Sequence, residues 1–326
     1  MPFISTVNGS FFAGKRRIIP AAPPFAGYDF TSFTFTNANK IGRTGPSLAE
    51  LRAFYDTTTY PWLLDNDDFN MLTNGIQLWT VPKTGTYRIT AKGAQGSAPE
   101  ALTGGRGAVM QGEFSLTAGE KIQILIGQTA PVGVVARVNK SSSGGGGTFV
   151  VKYTGITNVV ANILVIAGGG GGTGSDRPSG ADAVTTTTGV TGRLGGAGGT
   201  NGNGGTGTGS NGGGGGFLTN GTQTGAGSSF LNGGLGGIIN TSYAANGGGF
   251  GGGGSPTNGV LFRYAGGGGY SGGGASTTFG NLDGSGVTTG HWGGGGASYN
   301  AGSNQVNSSG NSGNTGAGSV LVEFLS

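Results

Sequence analysis

The feature that most constrains this chain is the stretch from Gly144 to Gly318, about a third of which is glycine. It holds 63 of the 79 glycines, and most of its other residues are Asn, Ser, Thr and Ala. Such a composition without a fixed period is typical of flexible linkers and low-complexity segments. Ordering it costs roughly 1 to 2 kcal/mol of backbone entropy per residue, with glycine at the upper end. A folded state therefore needs a cooperative source of stability other than side-chain burial.

The backbone itself supplies such a source. Glycine runs in an extended, threefold conformation of the polyproline-II type rise about 3.1 Å per residue and make no internal hydrogen bonds, so their N–H and C=O groups point sideways. Runs packed side by side, parallel and antiparallel, satisfy those groups on each other. A collagen helix is excluded, because there is no strict Gly-X-Y period and the chain has only 11 prolines. We therefore predict a bundle of polyglycine-II helices across residues 168–316.

The preceding part of the chain alternates apolar and polar residues with period two, which predicts β-strands. On one face we expect Phe33 and Phe35, and on another Tyr87, Ile89 and Ala91. Short strands at this spacing favour an antiparallel sandwich or jelly roll. The predicted strands lie in SFTFTNA, QLWTV, TYRITAK, AVMQGEFSL, EKIQILIG, TFVVKY, NILVIA and the C-terminal SVLVEF.

The position of SVLVEF suggests how the chain is organised. A lone terminal strand needs a partner, so we expect residues 317–326 to return to a sandwich formed by residues 31–167. The glycine-rich bundle at 168–316 would then be an insertion between strands of one sandwich. Within the sandwich unit, Ser47 and Glu50 form a capping-box pattern that predicts a short helix near 47–55.

Residues 1–30 form a separate N-terminal arm. It combines a basic cluster, Lys15, Arg16 and Arg17, with a proline-rich run that behaves as a stiff, extended spacer. Two interpretations stay open for this arm. One is a frayed tail, and the other is a docking arm that attaches the protein to a larger assembly.

Composition argues against several function classes. The net charge of +4 comes almost entirely from the first half of the chain and forms no dense basic stripe, so we expect no nucleic-acid partner. There are no cysteines, and no apolar run approaches the length of a membrane span. The first residues lack the pattern of a signal peptide. The acidic group Asp65, Asp67 and Asp68 lacks the EF-hand spacing, so we do not expect calcium to bind there. We expect no metal and no cofactor elsewhere in the chain.

Catalysis is poorly supported by the sequence. Residues 269–273 fit the G-x-S-x-G pattern, but that pattern arises readily by chance in a segment so rich in glycine. A nucleophile elbow also needs a strand-to-helix turn, a histidine and an acid. The single histidine, His291, and Asp283 supply the residue types without that context. We predict that the protein is not an enzyme.

Binding is better supported, because glycine helices are featureless and specificity must come from the residues between them. Aromatic residues and arginine dominate recognition hot spots. In this chain they cluster late, and each could instead pack against the bundle or the sandwich. The predicted receptor-binding residues are Phe250, Arg263, Tyr264, Tyr270, His291, Trp292 and Tyr299.

The order of these motifs resembles a known family. QLWTVPKTGTYRITAKGAQG, GGRGAVMQGEFSLTAGEKIQILIGQ, SGGGGTFVV, ILVIAGGGGG and the later runs GGGFGGGGS, GGGGYSGGG and GGGGASY are similar to the glycine-rich domain of the anaplastic lymphoma kinase and leukocyte tyrosine kinase ectodomains. Related domains occur in bacterial surface proteins, phage tail fibres and adhesins. The resemblance covers residues 74 to 326. It implies a TNF-like sandwich that carries an inserted array of polyglycine-II helices.

The departures from the kinase ectodomains favour the phage branch. Those ectodomains carry cysteines, a signal sequence and a membrane span, for which this chain shows no pattern. IGRTGPSLAELRAFY, ahead of the WTVP motif, also looks like what precedes the domain in phage structural proteins. We therefore expect a virion protein, a tail-fibre or tail-tip adhesin, with tail proteins and a host surface protein or glycan as partners. Two other functions stay open: a structural fibre or decoration protein without receptor contact, and a cell-surface ligand-binding domain. A homotrimer also stays open.

Overall fold

The computed structural model describes eight stretches of the chain: residues 27–99, 102–131, 141–155, 160–174, 181–238, 247–257, 263–277 and 291–326. They form two antiparallel sheets, a glycine-rich array beside them, one α-helix and four short 3₁₀ turns. The α-helix, α1, spans Leu48–Phe54. The strands, numbered in chain order, are β1 Ser32–Phe35, β2 Phe69–Thr73, β3 Ile76–Thr80, β4 Gly85–Lys92, β5 Val109–Leu116, β6 Lys121–Leu125, β7 Thr148–Tyr153, β8 Ile163–Ala167, β9 Tyr299–Asn300, β10 Ser303–Ser308 and β11 Ser319–Phe324.

The two sheets pack face to face as a sandwich. The first has the order β1-β11-β4-β5-β10, and the second has the order β2-β3-β6-β7-β8-β9. Tyr87 and Ile89 of β4 point into the same buried core as Ile122 and Ile124 of β6. The C-terminal strand β11 lies between β1 and β4, with Val322 opposite both Phe33 and Ile89. An all-β sandwich of two antiparallel sheets is thus the fold of this unit.

Helix α1 begins at the capping box that the sequence predicts. The Ser47 hydroxyl accepts a hydrogen bond from the Glu50 amide at 3.3 Å, and the Glu50 carboxylate accepts one from the Ser47 amide at 2.7 Å. Contact with Lys40 and these bonds to Ser47 lower the pKa of Glu50 to about 2. The helix buries Leu51 in the sandwich core and ends at Phe54.

The inner strands of the second sheet are covered on both faces, which removes the expected alternation from β3 and β8. All five residues of β3 and of β8 are buried. The outer face carries a second apolar cluster, in which Leu125, Phe149 and Ile166 pack with glycine-rich-region side chains such as Phe217 and Phe250. This cluster attaches the array to the sandwich.

Three strands differ from the sequence prediction. β2 was not predicted, and β9 and β10 lie inside the range 168–316 assigned to glycine helices. For β10, with the sequence SNQVNS, the reason is that it is an exposed edge strand without an apolar face. Its sequence therefore carries no period-two signal. It pairs antiparallel with β5 across a register shift between Ser303 and Val306. The Ser303 hydroxyl and the Asn304 side-chain amide also donate to the carbonyl and the carboxylate of Glu113 in β5.

The glycine-rich segments bond sideways to one another. Gly145 donates to Gly170 at 2.8 Å, and Gly254 donates to Gly266 at 2.8 Å, although these pairs are far apart in sequence. Segments ahead of Gly144 take part as well, since Gly170 donates to Ala94 at 2.9 Å. The array therefore reaches into the loops that connect the strands, and it starts earlier in the chain than residue 168.

Candidate functional site at the far end of the array

One segment, residues 263–269, lies at the centre of the array. Its backbone is hydrogen-bonded to six other segments. Where it makes two bonds to the same neighbouring segment, the two bonding residues are three positions apart. Ala265 and Gly268 donate to Ser142 and Gly145, for example, while Gly266 and Gly269 donate to Gly212 and Gly215. The other four partners are reached through Gly172 and Gly169, Ser276 and Gly273, Gly294, and Gly254. Bonds in all directions around one segment fix its position and its rotation.

The separation between segments leaves no room for side chains. A Cβ added at Gly267 would lie 2.1 Å from the carbonyl oxygen of Gly169, and one at Gly272 would lie 1.9 Å from that of Gly214. These obstacles are backbone atoms, which cannot rotate away as a side chain does. Close packing therefore confines larger residues to the ends of the segments.

The end of the array that adjoins the sheets is called the near end, and the opposite end is called the far end. Hydrogen bonds keep the far-end residues level with one another. Tyr264 is bridged to Ser142, and Thr173 to Trp292. The amide of Ser276 donates to the carbonyl of Tyr264 at 2.9 Å. Four of the predicted receptor-binding residues, Arg263, Tyr264, His291 and Trp292, thus lie together at the far end.

Tyr264 is fully buried and its hydroxyl lies against the backbone of Gly174. A Cβ at Gly174 would be 1.8 Å from that oxygen, so a larger residue there would displace the tyrosine side chain. Burial raises the pKa of the Tyr264 phenol, which therefore stays protonated. The hydroxyl has no hydrogen-bond partner among the described residues. Tyr264, one of the predicted receptor-binding residues, is therefore fully buried in this structure.

Arg263 precedes it and is 7 % exposed. Its Nε and Nη1 atoms are buried without a hydrogen-bond partner within the described part of the chain. Burial lowers the pKa of its guanidinium, although an arginine remains protonated at neutral pH. The far end thus contains a positive charge, and two of its donor nitrogens have no partner among the described residues.

Trp292 is half-buried, and the guanidinium of Arg193 lies 5.5 Å from the centre of its ring, a cation–π distance. His291 beside it is buried, and burial together with the charge of Arg193 lowers the pKa of its imidazole. Arg193 is not among the residues that the sequence predicts for the site. A signal for it exists, because it is one of only three basic residues after Lys152.

The other three predicted contact residues lie at the near end. Phe250 is fully buried in the cluster on the outer sheet face and packs against Gly45 and Gly75, so it is a core residue. Tyr270 is 7 % exposed and its ring centre lies 5.0 Å from that of Tyr299 in β9. These three predicted receptor-binding residues therefore lie beside the second sheet, apart from the other four. Lys15, Arg16 and Arg17 lie outside the described residues.

The G-x-S-x-G serine is not brought near the histidine. Ser271 is buried at the near end, where its hydroxyl donates to the carbonyl of Thr187 at 2.7 Å and accepts from the amide of Gly202 at 3.1 Å. Its neighbour on the other segment is Ala297, six residues from His291. At about 3.1 Å per extended residue, that separation is roughly 19 Å. Asp283 lies outside the described residues.

Within the described stretches, no group of three or more His, Asp or Glu side chains is placed to hold a metal ion. No helix of the described chain is long and apolar enough to cross a membrane. The sequence matches no protein-family model. The site must therefore be interpreted from its own residues.

Proposed function

We propose that this protein is a non-catalytic phage adhesin, a tail-fibre or tail-tip protein whose far end contacts a receptor on the host surface. The observation that carries the proposal is the central segment 263–269, which is bonded to six neighbours and ends at Arg263 and Tyr264. A rigid mount with an arginine and aromatic residues at its tip suits recognition, because no binding energy is lost in ordering it.

We further propose that the array is a bundle of polyglycine-II helices. The support is the three-residue repeat of its lateral hydrogen bonds, which matches a helix with three residues per turn. The two antiparallel sheets support a TNF-like assignment of the sandwich. In this proposal the sandwich carries the array, and the N-terminal arm with Lys15, Arg16 and Arg17 docks to other tail proteins. Fibres of such virions commonly have threefold symmetry.

The experiment is adsorption of the fluorescently labelled full chain to a panel of bacteria. We expect saturable binding to at least one strain, and a loss of at least about tenfold in affinity for Trp292→Ala, because hot-spot aromatic residues contribute about 2 kcal/mol or more. Lys92→Gln, an exposed change on β4 near the sheets, is the control and should bind normally. Adsorption to no strain, or equal adsorption of Trp292→Ala and wild type, would contradict the proposal.

A further inference from the structure

One edge of the first sheet is an exposed strand without charge. β10 is the last strand in the order β1-β11-β4-β5-β10, and all of its residues except the last are exposed. Free strand edges are templates for pairing, and proteins commonly block them with charged residues or proline. Residues 299–318, which include β10, contain neither a charged residue nor a proline. The side chains of this edge therefore do not repel another strand.

The register shows which backbone groups of β10 face outward. Ala108, just before β5, accepts from Gly93 at 2.9 Å, so alternate residues of β5 bond to β4 and the others, which include Gln111, bond to β10. Val306 is opposite Gln111 and therefore bonds inward. The N–H and C=O groups of the two residues that flank Val306 consequently point away from the sheet.

The free edge of the second sheet is closed by contrast. In β2 the Phe69 amide donates to the carbonyl of Asp65 at 2.9 Å, and the Phe69 carbonyl accepts from the guanidinium of Arg52 at 3.0 Å. The Met71 amide donates to the side chain of Asn70 at 2.8 Å. Within the described stretches, the outward groups of β10 make no bond to a segment outside the sheet. The chain thus closes one edge and leaves the other open.

Side chains hold the open edge in place. Asn307 accepts from the Nδ2 of Asn300 at 2.9 Å through its Oδ1 and donates from its Nδ2 to the Oε1 of Gln305 at 3.0 Å. Gln305 in turn donates from its Nε2 to the carbonyl of Gly302 at 2.9 Å. These bonds fix the strand and leave its outward backbone groups free. A strand that is already ordered loses little conformational entropy when it pairs.

We propose that β10 pairs antiparallel with β10 of a second copy of this chain, about a two-fold axis at Val306. The pairing joins two five-stranded sheets. Gln305 lies opposite Asn307 of the second copy, and each such pair exchanges both of its N–H···O=C bonds. The left-handed Asn304, with φ of +46°, and the register shift beside it bend the strand and confine the pairing to the residues that follow.

Two features favour a second copy over an unrelated strand. Val306 is the one apolar residue of β10 and is 62 % exposed. On the axis it forms a non-hydrogen-bonded pair with its own copy, the closer of the two kinds of pair, so the two valine side chains cover each other. Around such an axis any charge on the strand would lie near its own copy, and the strand carries none.

The first test is sedimentation of the purified full chain over a concentration series. We expect a reversible two-copy species, and we expect Val306→Lys to weaken it about tenfold, because two like charges then lie directly opposite each other. Ser115→Lys is the matched control, since it adds the same charge at an exposed position of β5 beyond the start of β10. It should assemble as wild type.

A mixture of Val306→Lys and Val306→Asp should recover the two-copy species, because opposite charges then meet across the axis. A wild-type chain that is still monomeric at about 1 mM would overturn the inference. A three-copy species would do the same, since β10 would then have to pair with a different edge. Equal assembly of Val306→Lys and Ser115→Lys would also overturn it.

A single cysteine tests the register, because the chain contains no other. The Cα atoms of a non-hydrogen-bonded pair are about 4.5 Å apart, within the range of a disulfide. Val306→Cys should therefore form a disulfide between copies with oxidised glutathione as the oxidant. Two Ser308→Cys residues would be offset by about 14 Å along the strands and should cross-link at least about tenfold more slowly. Equal rates would contradict the register. These results do not depend on whether the chain adsorbs to bacteria.

Discussion

The sandwich and the glycine-rich array are both ordered, but side chains stabilise the first and the backbone stabilises the second. The sandwich buries aromatic and aliphatic side chains, such as Trp79 and Tyr87, between two sheets whose backbone bonds run in the plane of each sheet. The array has almost no side chains to bury, and its backbone bonds run in six directions around the central segment 263–269. Apolar burial holds the first region, and mutual satisfaction of backbone groups holds the second.

The two regions also differ in which residues determine how the chain packs. In the sandwich, the identity of side chains at alternate positions selects the face and the register. In the array, most of the glycines leave no room for a Cβ, so the positions of the larger residues distinguish one segment from another. Phe217, Phe230 and Phe250 mark the near end by packing on the second sheet, whereas Arg263 and Trp292 mark the far end.

The largest expected effect comes from adding one methyl group to the array. In Gly267→Ala the new Cβ would lie 2.1 Å from the carbonyl oxygen of Gly169, and neither backbone can move without breaking other bonds. We expect a loss of about 4 kcal/mol or more in the free energy of unfolding, at the extreme end for one substitution. Chemical denaturation followed by circular dichroism would measure it.

Gly155→Ala is the matched control, since nothing lies within 4 Å of a Cβ there and the residue has φ of +75°. It should cost only about 1 to 2 kcal/mol, the strain of a left-handed alanine. Equal losses in the two variants would show that close packing is not what requires glycine in the array.

The next effect tests the junction between the two regions. Phe250→Ala removes a fully buried ring from the cluster on the outer sheet face, and we expect a loss of about 3 to 5 kcal/mol. Phe54→Ala, at a ring that is 44 % exposed, should cost well under half as much. Equilibrium unfolding measures both. A Phe250→Ala chain as stable as wild type would mean that the array is held independently of the sheet.

A smaller effect should stay within the sandwich. Ser47→Ala removes the hydroxyl that caps α1, which should lower the free energy of unfolding by about 1 kcal/mol. Ser47→Asp keeps a capping oxygen and should retain most of the stability. If Ser47→Ala instead changed amide exchange in the array, the two regions would be more strongly coupled than we infer.

The smallest effect depends on pH. Burial, with repulsion from Asp65 and Asp67, raises the pKa of Asp68 to about 6. A raised carboxyl pKa means that the folded state binds this proton more tightly than the unfolded state, so stability falls as pH rises from about 4 to about 6. Asp68→Asn should therefore raise the thermal midpoint slightly at pH 7.5 and lose that advantage at pH 4. An equal shift at both pH values would contradict this assignment.

Much of the sandwich could be predicted because its residues alternate. The faces of β4 and the capping box of α1 were predicted correctly, since Tyr87, Ile89 and Ala91 are buried at every second position of β4. The alternation fails where both faces are covered, as in β3, and where none is, as in β10. Those strands depend on neighbours that a local pattern does not contain.

The site could be predicted only in part, because glycine segments give no signal for which end a residue occupies. Tyr264 and Tyr270 each adjoin a glycine run, yet they lie at opposite ends of the array, since the chain runs the length of the array between them. The burial of Tyr264 follows from its fit over Gly174, a contact between residues 90 positions apart. Pairings of this kind are set by the whole array and not by the local sequence.

The most direct test of the central claim is hydrogen exchange of the backbone amides in segment 266–268, compared with that of Ile89 in β4. The Gly267 amide donates to Gly294 at 2.9 Å in the middle of the array. If lateral backbone bonds hold the array, these glycine amides should be protected from exchange as strongly as Ile89, within about tenfold. Exchange at the rate of an unstructured glycine peptide, while Ile89 stays protected, would contradict the account.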